Sequence, residues 1–247
     1  MDSLLIRGGV PLHGDVQISG AKNAVLPIMA ASLLSPEQCT IHNVPDLEDV
    51  RTMVRILQSL GAKVQFDGRS LTVRAERVKD MADYDLVRKM RGSICVLGPL
   101  LGRLRRAKVS LPGGCVIGTR PIDLHLKGMK ALGAKVRTTG GYVRVTAKIF
   151  KGAEVFLGGR AGPTVLGTAN LLMASVLAPG RTLIESAACE PEVCDLAKFL
   201  NSMGAKIEGA GSPTITVVGV KKLHGAEHKV IPDRIEAATY AVASVVT

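Results

Sequence analysis

Three phrases of nearly the same wording recur along this chain: Leu60-Gly61-Ala62-Lys63-Val64, Leu132-Gly133-Ala134-Lys135-Val136 and Met203-Gly204-Ala205-Lys206-Ile207. They stand about 72 and then about 71 residues apart, and self-similarity at a fixed period is the mark of a fold assembled from repeated supersecondary units. Each phrase closes a stretch with helical spacing. Between Pro121 and Leu132 the apolar residues are Ile122, Leu124, Leu126, Met129 and Leu132, and Gly133 follows where a left-handed helix terminus is expected. Two short alternating runs come next, Lys135 to Thr138 and Tyr142 to Val145, split by Gly140-Gly141, which predicts a β-hairpin. Upstream of the three phrases, helices rich in small and apolar residues (24–34, 94–104 and 166–177) lead into short strands (40–44, 108–111 and 182–185). The predicted unit is helix, strand, helix, two strands.

One such unit carries a single sheet and two helices, so three copies can pool their helices in a shared core and turn their sheets outward. The expected fold class is therefore α/β, a pseudo-threefold repeat with helices inside and sheets outside, its units covering about 22–78, 79–148 and 149–229. The two ends fall outside this scheme. Two short predicted strands, Ser3 to Arg7 and Asp15 to Ser19, precede the first unit. After the third, Ile231-Pro232-Asp233-Arg234-Ile235 opens a small-residue helix, Ala237 to Val246, resembling the first helix of a further unit. Residues 1–21 and 230–247 are read as parts of a second, incomplete domain.

Composition narrows the function. Aromatic residues make up 3% of the 247 positions and Trp is absent, so the core must be built from aliphatic side chains, Ala and Met. A net charge of +11 points to anionic partners. The basic residues are spread along the chain with almost no aromatics among them, which disfavours a single-stranded nucleic-acid platform and leaves a phosphorylated small molecule as the better fit. Five cysteines without a CxxC pair suggest neither a disulfide framework nor a zinc cluster, and a reducing cytoplasm is expected. The five histidines show no metal-ligand spacing, and neither GxGxxG nor GxxxxGK[ST] occurs, so no metal, cofactor or P-loop nucleotide site is expected. With no run of about 20 apolar residues, membrane spanning is not expected either.

Polar residues gather at predicted helix starts, where unsatisfied N–H groups and the helix dipole favour anions. These are Lys22-Asn23, Met90-Arg91 and Pro232-Asp233-Arg234; taken singly, Lys22, Arg91 and Arg234 also read as ordinary solvated charges. The most unusual stretch runs from Leu111 to Pro121, where three glycines within six residues make a loop carrying Cys115. A thiol there, near Arg120 and a helix start, is expected to have a lowered pKa and to act as proton donor or nucleophile. Cys39, Cys95, Cys189 and Cys194 are read as small hydrophobes. Glu190, before Pro191, and Asp49 stand near helix starts and are read first as helix caps.

Taken together, several motifs resemble the enolpyruvyl transferase family, and the likeness runs over the whole chain. They are Ser19-Gly20-Ala21-Lys22-Asn23, Met90-Arg91, Leu111-Pro112-Gly113-Gly114-Cys115 with Arg120-Pro121-Ile122-Asp123-Leu124, Glu190-Pro191 and Pro232-Asp233-Arg234-Ile235-Glu236. The resemblance implies six units in two pseudo-threefold domains, an inverse α/β barrel with the active site in the cleft between them. It implies transfer of the enolpyruvyl group of phosphoenolpyruvate to the 3′-hydroxyl of UDP-N-acetylglucosamine, the first step of peptidoglycan synthesis, by a cytoplasmic monomer. Carried over residue by residue, Cys115 is the proton donor and the site of a covalent adduct, and Lys22, Asn23 and Arg120 bind phosphoenolpyruvate. Arg91, Arg120, Pro121, Ile122, Asp123, Leu124, Thr164 and Val165 bind the nucleotide sugar, with Asp49, Glu190, Asp233 and Arg234 in support. The sequence departs from the family pattern around residues 160–165, which align only with a small insertion. The family's hydroxyl-activating aspartate and a further arginine are expected beyond residue 247, so little turnover is expected of these residues alone. A non-catalytic phospho-ligand domain, or a relative of enolpyruvylshikimate phosphate synthase, is the alternative; the Lys-Ser and Asn-Ala-Gly-Thr signatures of the latter are not present.

Overall fold

The computed structural model describes residues 3, 5, 7–9, 11–111, 113, 121–160 and 162–246. The chain opens with α1 (Lys22–Ala31), continued by a 3-10 turn (Ser32–Leu34), then β1 (Gln38–His42), α2 (Glu48–Ser59) and the hairpin β2 (Lys63–Phe66) and β3 (Leu71–Arg74). A second series follows: α3 (Tyr84–Arg88), a 3-10 turn (Arg91–Val96) running into α4 (Leu97–Leu104), β4 (Arg106–Ser110), α5 (Asp123–Ala131), β5 (Lys135–Thr139) and β6 (Tyr142–Thr146). The third consists of β7 (Glu154–Phe156), α6 (Val165–Ser175), β8 (Arg181–Glu185), α7 (Pro191–Ser202), β9 (Lys206–Glu208) and β10 (Thr214–Val218), after which come β11 (Glu227–Lys229) and α8 (Arg234–Val246).

The strands form three sheets in the orders β11-β1-β3-β2, β4-β6-β5 and β7-β8-β10-β9, the two four-stranded ones mixed and the middle one antiparallel. Within each, the single strand and the hairpin pair antiparallel, while β11 and β7 add in parallel to β1 and β8. Glycine makes the turn into each hairpin possible. Gly61, Gly133 and Gly204 close α2, α5 and α7 at φ of 98°, 96° and 95°, a region that L side chains avoid. At Gly133 a Cβ would also fall 2.2 Å from the carbonyl oxygen of Ile149.

Helices α1, α4 and α6 lie at the centre. In α1 every residue from Ala24 to Ala31 is buried, and in α6 every residue from Gly167 to Ser175. Such helices are apolar all round because they are covered all round. By contrast α2 buries one stripe, Val50, Met53, Ile56 and Leu57, at the spacing of a helix lying on a surface. The strands alternate: β3, β6 and β10 bury every second side chain against the helices and leave the others outward.

The contact of α4 with α6 is backbone to backbone. A Cβ on Gly98 would stand 2.4 Å from the Asn170 carbonyl oxygen, and one on Gly102 would stand 3.0 Å from that of Met173. Asn170 secures the contact with its side chain, accepting from the Gly98 amide at 2.7 Å and donating to the Ile94 carbonyl at 3.0 Å. Two arginines then satisfy carbonyls at the C-terminal ends of the central helices. Arg103 donates to Leu33 and Ser35, and Arg105 donates to Gly102 and Leu177 while stacking on Phe150 at 4.2 Å.

Some expectations shift. No strand forms over the described residues of Ser3 to Arg7 or over Asp15 to Ser19: a strand needs a partner ladder, and these segments lie largely exposed beside none. Just after them, Gly20 forms an isolated bridge with Pro232. The helix expected from Pro121 starts at Asp123, and the one expected from Ile94 begins as the 3-10 turn at Arg91. Helix α8 forms from Arg234, three residues earlier than Ala237, and none of its residues is buried. Among the described residues, no helix is long and apolar enough to cross a membrane.

Gly98→Ala should lower stability by about 3 kcal/mol, because the methyl meets backbone that has no room to move. Gly102→Ala should cost less, since its neighbours are farther away. Urea denaturation of both variants checks the order; equal effects would refute the account of the α4–α6 contact.

Candidate functional site

A cavity of about 400 Å³ opens where the N-terminal ends of several helices converge. Lys22 and Asn23 come from the first turn of α1, Asp49 from that of α2, Arg91 from the 3-10 turn before α4, Val165 from the start of α6, Glu190 and Glu192 from the start of α7, and Arg234 from that of α8. Helix N-terminal ends carry the positive end of the helix dipole, so their convergence favours anions in the cavity.

The charged side chains are already organised. Lys22 Nζ lies 3.2 Å from Asp49 Oδ2, both about two-fifths exposed. Arg234 grips Glu192 with two bonds, Nε to Oε1 at 2.9 Å and Nη2 to Oε2 at 3.3 Å, and Glu192 is only 4% exposed. That carboxylate holds the Arg234 guanidinium pKa above its ordinary value. Lys89 and the apolar side chains of Leu26, Pro27 and Leu166 complete the walls.

The cap reading of the two carboxylates does not hold. The N-cap of α2 is Leu47, without a side-chain cap bond, and Asp49 turns to Lys22 instead. Glu190 is the N-cap of α7 yet makes no cap bond, and its Oε2 is buried with no hydrogen-bond partner among the described residues. Thr164 does cap its helix, α6, its Oγ1 accepting from the Gly167 amide at 3.2 Å.

Asp233 acts as a tie between helix ends. Its Oδ2 accepts from the Lys22 amide at 3.2 Å and its Oδ1 from the Ile235 amide at 2.8 Å, so one carboxylate sits at the N-termini of both α1 and α8. Ala21 N donating to Ile231 O at 2.8 Å, and Ser19 bonding to Glu236, hold the same junction.

Of the residues singled out from sequence, Lys22, Asn23, Asp49, Arg91, Val165, Glu190 and Arg234 meet at the cavity. Pro121, Ile122, Asp123 and Leu124 are not among its lining residues; they stand at the entry to α5, where Leu124 packs under Gly159. Cys115 and Arg120 lie outside the described residues. Sequence reasoning missed Lys89 and Glu192. Lys89 stands two residues before Arg91, and Glu192 two after Glu190, so both motifs, read two residues further, contained them.

Behind the cavity wall, His125 on α5 is 2% exposed and its Nδ1 accepts from Asn170 Nδ2 at 2.9 Å. Burial, reinforced by the nearby Arg91 charge, pushes its pKa down to about 4. Asn170 thus joins α4, α5 and α6 through one neutral imidazole. Cys95 is buried against the same helices and its thiol is pushed up to about 12 by desolvation.

The fold is that of an enolpyruvyl transferase. The crystal structure of the enolpyruvyl transferase NikO from Streptomyces tendae superposes with a TM-score of 0.84 at 28% identity, over 95% of this chain and 55% of that one. The structure of EPSP synthase from Acinetobacter baumannii shares the fold at a TM-score of 0.73 and 18% identity, over 93% of this chain and 52% of its own. The family model described as EPSP synthase (3-phosphoshikimate 1-carboxyvinyltransferase) matches residues 6–247, and the chain belongs to that family. Similar curated relatives are the UDP-N-acetylglucosamine 1-carboxyvinyltransferases of Methylacidiphilum infernorum, 54% identical over all of this chain and 59% of the relative, and of Coxiella burnetii, 53% identical over all of this chain and 57% of the relative. The chain thus spans somewhat more than half the length of the curated relatives it matches.

Because His125 is held neutral, the unfolded chain binds more protons than the folded one between pH about 6.5 and about 4. Its contribution is whole above the first value and is lost as pH falls toward the second, roughly 3 kcal/mol in all. Thermal melts across this range should show the loss, and His125→Leu should flatten that part of the profile. An unchanged profile in the variant would disprove it.

Proposed function

We propose that the cavity is one wall of the active site of an enolpyruvyl transferase that moves the enolpyruvyl group of phosphoenolpyruvate to the 3′-hydroxyl of UDP-N-acetylglucosamine, releasing phosphate. The observation that carries this reading is the convergence of Lys22, Asn23, Arg91 and Arg234 at helix N-termini, in a chain 54% identical to a carboxyvinyltransferase named for that substrate. Both substrates are polyanions. Lys22 and Arg91 neutralise phosphate and carboxylate charge, Asn23 donates a hydrogen bond, and Asp49 and Glu192 hold Lys22 and Arg234 in place until substrate arrives. Cys115 supplies the proton to the enolpyruvyl methylene carbon or bonds covalently to the adjacent carbon. Arg120 adds charge for both substrates, and Pro121, Ile122, Asp123, Leu124, Thr164 and Val165 face the nucleotide.

The same reading covers the organisation of the chain. Residues 22–229 form one domain of three related units about a pseudo-threefold axis, supported by the common strand order of the three sheets. Residues 1–21 and 230–247 belong to a second domain, supported by the exposed Val242, Val245 and Val246 on α8. The protein acts as a cytoplasmic monomer in peptidoglycan synthesis, without nucleic acid or membrane.

Titration calorimetry of the 247-residue chain with UDP-N-acetylglucosamine should show binding, and Arg91→Ala should weaken it by about tenfold or more. Phosphate release with both substrates should be several orders of magnitude below that of a full-length relative, since the family's hydroxyl-activating aspartate is expected beyond residue 247. Binding of shikimate 3-phosphate in preference to the nucleotide sugar would overturn the substrate assignment. Turnover matching the full-length enzyme would overturn the division of the site.

A further inference from the structure

The outer face of the middle sheet carries a row of like charges. In the register of β4, β6 and β5, Lys108 stands opposite Arg144 and Arg144 opposite Arg137. With strands about 4.8 Å apart, three cations lie side by side over roughly 10 Å. The next row adds Arg106 and Lys135 on either side of Thr146. Arg106 is paired with Asp80, but no ion pair joins Lys108, Lys135, Arg137 or Arg144 to a carboxylate among the described residues. Like charges directly opposite one another on a sheet are destabilising, so this arrangement has a cost that no carboxylate ion-paired to these four side chains offsets among the described residues.

Charging an edge strand to prevent sheet-to-sheet association is the ordinary explanation for exposed Lys and Arg. It accounts for Lys135 and Arg137 on the edge strand β5 and for Lys108 on the other edge strand, β4. It does not account for Arg144, which lies on the central strand β6. Nor is the face basic merely because the protein is. On the β7-β8-β10-β9 sheet, Glu154, Glu185 and Glu208 stand among Arg181 and Lys206, and on the first sheet Glu227 pairs with His42 and Arg74 with Glu76.

The row lies in a concavity of about 480 Å³, walled by Lys108, Arg137, Thr139, Gly140, Tyr142 and Arg144. Three cations and two hydroxyls line it, with no carboxylate. Tyr142 holds Lys108 in position, the ammonium standing 4.1 Å from the ring centroid, and Tyr84 packs on Tyr142 at 5.1 Å while carrying Arg88 over its own face at 5.2 Å. None of these residues lines the cavity at the helix N-termini.

We propose that this concavity is a second anion site, which takes an oligophosphate through Lys108, Arg137 and Arg144. The volume suits a small ligand. Two guanidinium forks and an ammonium suit a group that presents many oxygens and three or more charges within a short length, as a di- or triphosphate does and a single carboxylate does not. The ring face of Tyr142 is occupied by Lys108, so no stacking platform is offered to a base, and the recognised part is the phosphate chain.

The test is calorimetry with inorganic tripolyphosphate, with ATP, and with sodium chloride at matched ionic strength. Tripolyphosphate and ATP should bind about equally. The double variant Arg137→Thr/Arg144→Thr, in which Thr keeps β propensity, should lose about tenfold or more in affinity for both. Arg91→Ala, at the other cavity, should leave the tripolyphosphate affinity of the sheet site unchanged. Thermal melts should show the double variant folded and at least as stable as the parent without ligand, since repulsion is relieved. The proposal fails if the double variant binds tripolyphosphate as well as the parent, if Arg91→Ala abolishes the binding, or if chloride at the same ionic strength reproduces the heat. It fails equally if single-stranded RNA binds the face far more tightly than tripolyphosphate at the same salt, which would make it a nucleic-acid surface.

Discussion

The backbone contact between α4 and α6 sets the geometry on which the rest of this structure depends. Gly98 and Gly102 let two helices approach until one faces the carbonyls of the other, closer than any side chain allows. That approach buries the Gly98 amide and the Ile94 carbonyl, both of which Asn170 partners, while Arg103 and Arg105 bond the carbonyls of Leu33 and Leu177 at the ends of the neighbouring helices. Close packing and polar satisfaction are here one constraint: remove the glycines and the side chains no longer reach, remove Asn170 and the close contact leaves the Gly98 amide unpaired.

The site follows from this packing. Helices brought together along their lengths must also bring their ends together, and the N-terminal ends of α1, α2, α6 and α7, with the 3-10 turn ahead of α4, surround one cavity. Their dipoles point into it, which explains why carboxylates as well as cations collect there. Asp233 and Glu192 answer the helix ends and the guanidinium of Arg234, while Lys22 is held by Asp49. A charged ligand entering this space meets groups already turned toward it and held by one another, which lowers the cost of ordering them on binding. His125 shows the converse, since the same burial that rigidifies the wall keeps its imidazole neutral.

The core shows why so few aromatic residues suffice. Ala, Val, Leu, Ile and Met fill the space between the central helices, and Phe199 on α7 is the largest fully buried side chain. Small side chains let helices pack at short range, and short range is what the convergence of helix ends requires.

The recurring Gly-Ala-Lys phrases announced their local structure directly. A glycine that must take positive φ is legible because few other residues do so cheaply, and helix, turn and hairpin around Gly133 could be placed within a residue or two. The basic residues at the helix starts were legible for a related reason, since a motif at a helix N-terminus carries its own physical meaning. The sequence did not reveal the partners. That Asp49 binds Lys22, that Glu192 rather than Glu190 holds Arg234, and that Asp233 ties α1 to α8 all join residues 27 to 211 positions apart. The strand expected over Asp15 to Ser19 did not form for the same reason: alternation gives a segment its preference, but a strand exists only where another supplies its hydrogen bonds. Local chemistry is thus written in the chain itself, because φ, capping and periodicity act over a few residues. Which charges meet, and which lie opposite one another on a sheet, is decided only when the helices pack and the registers close.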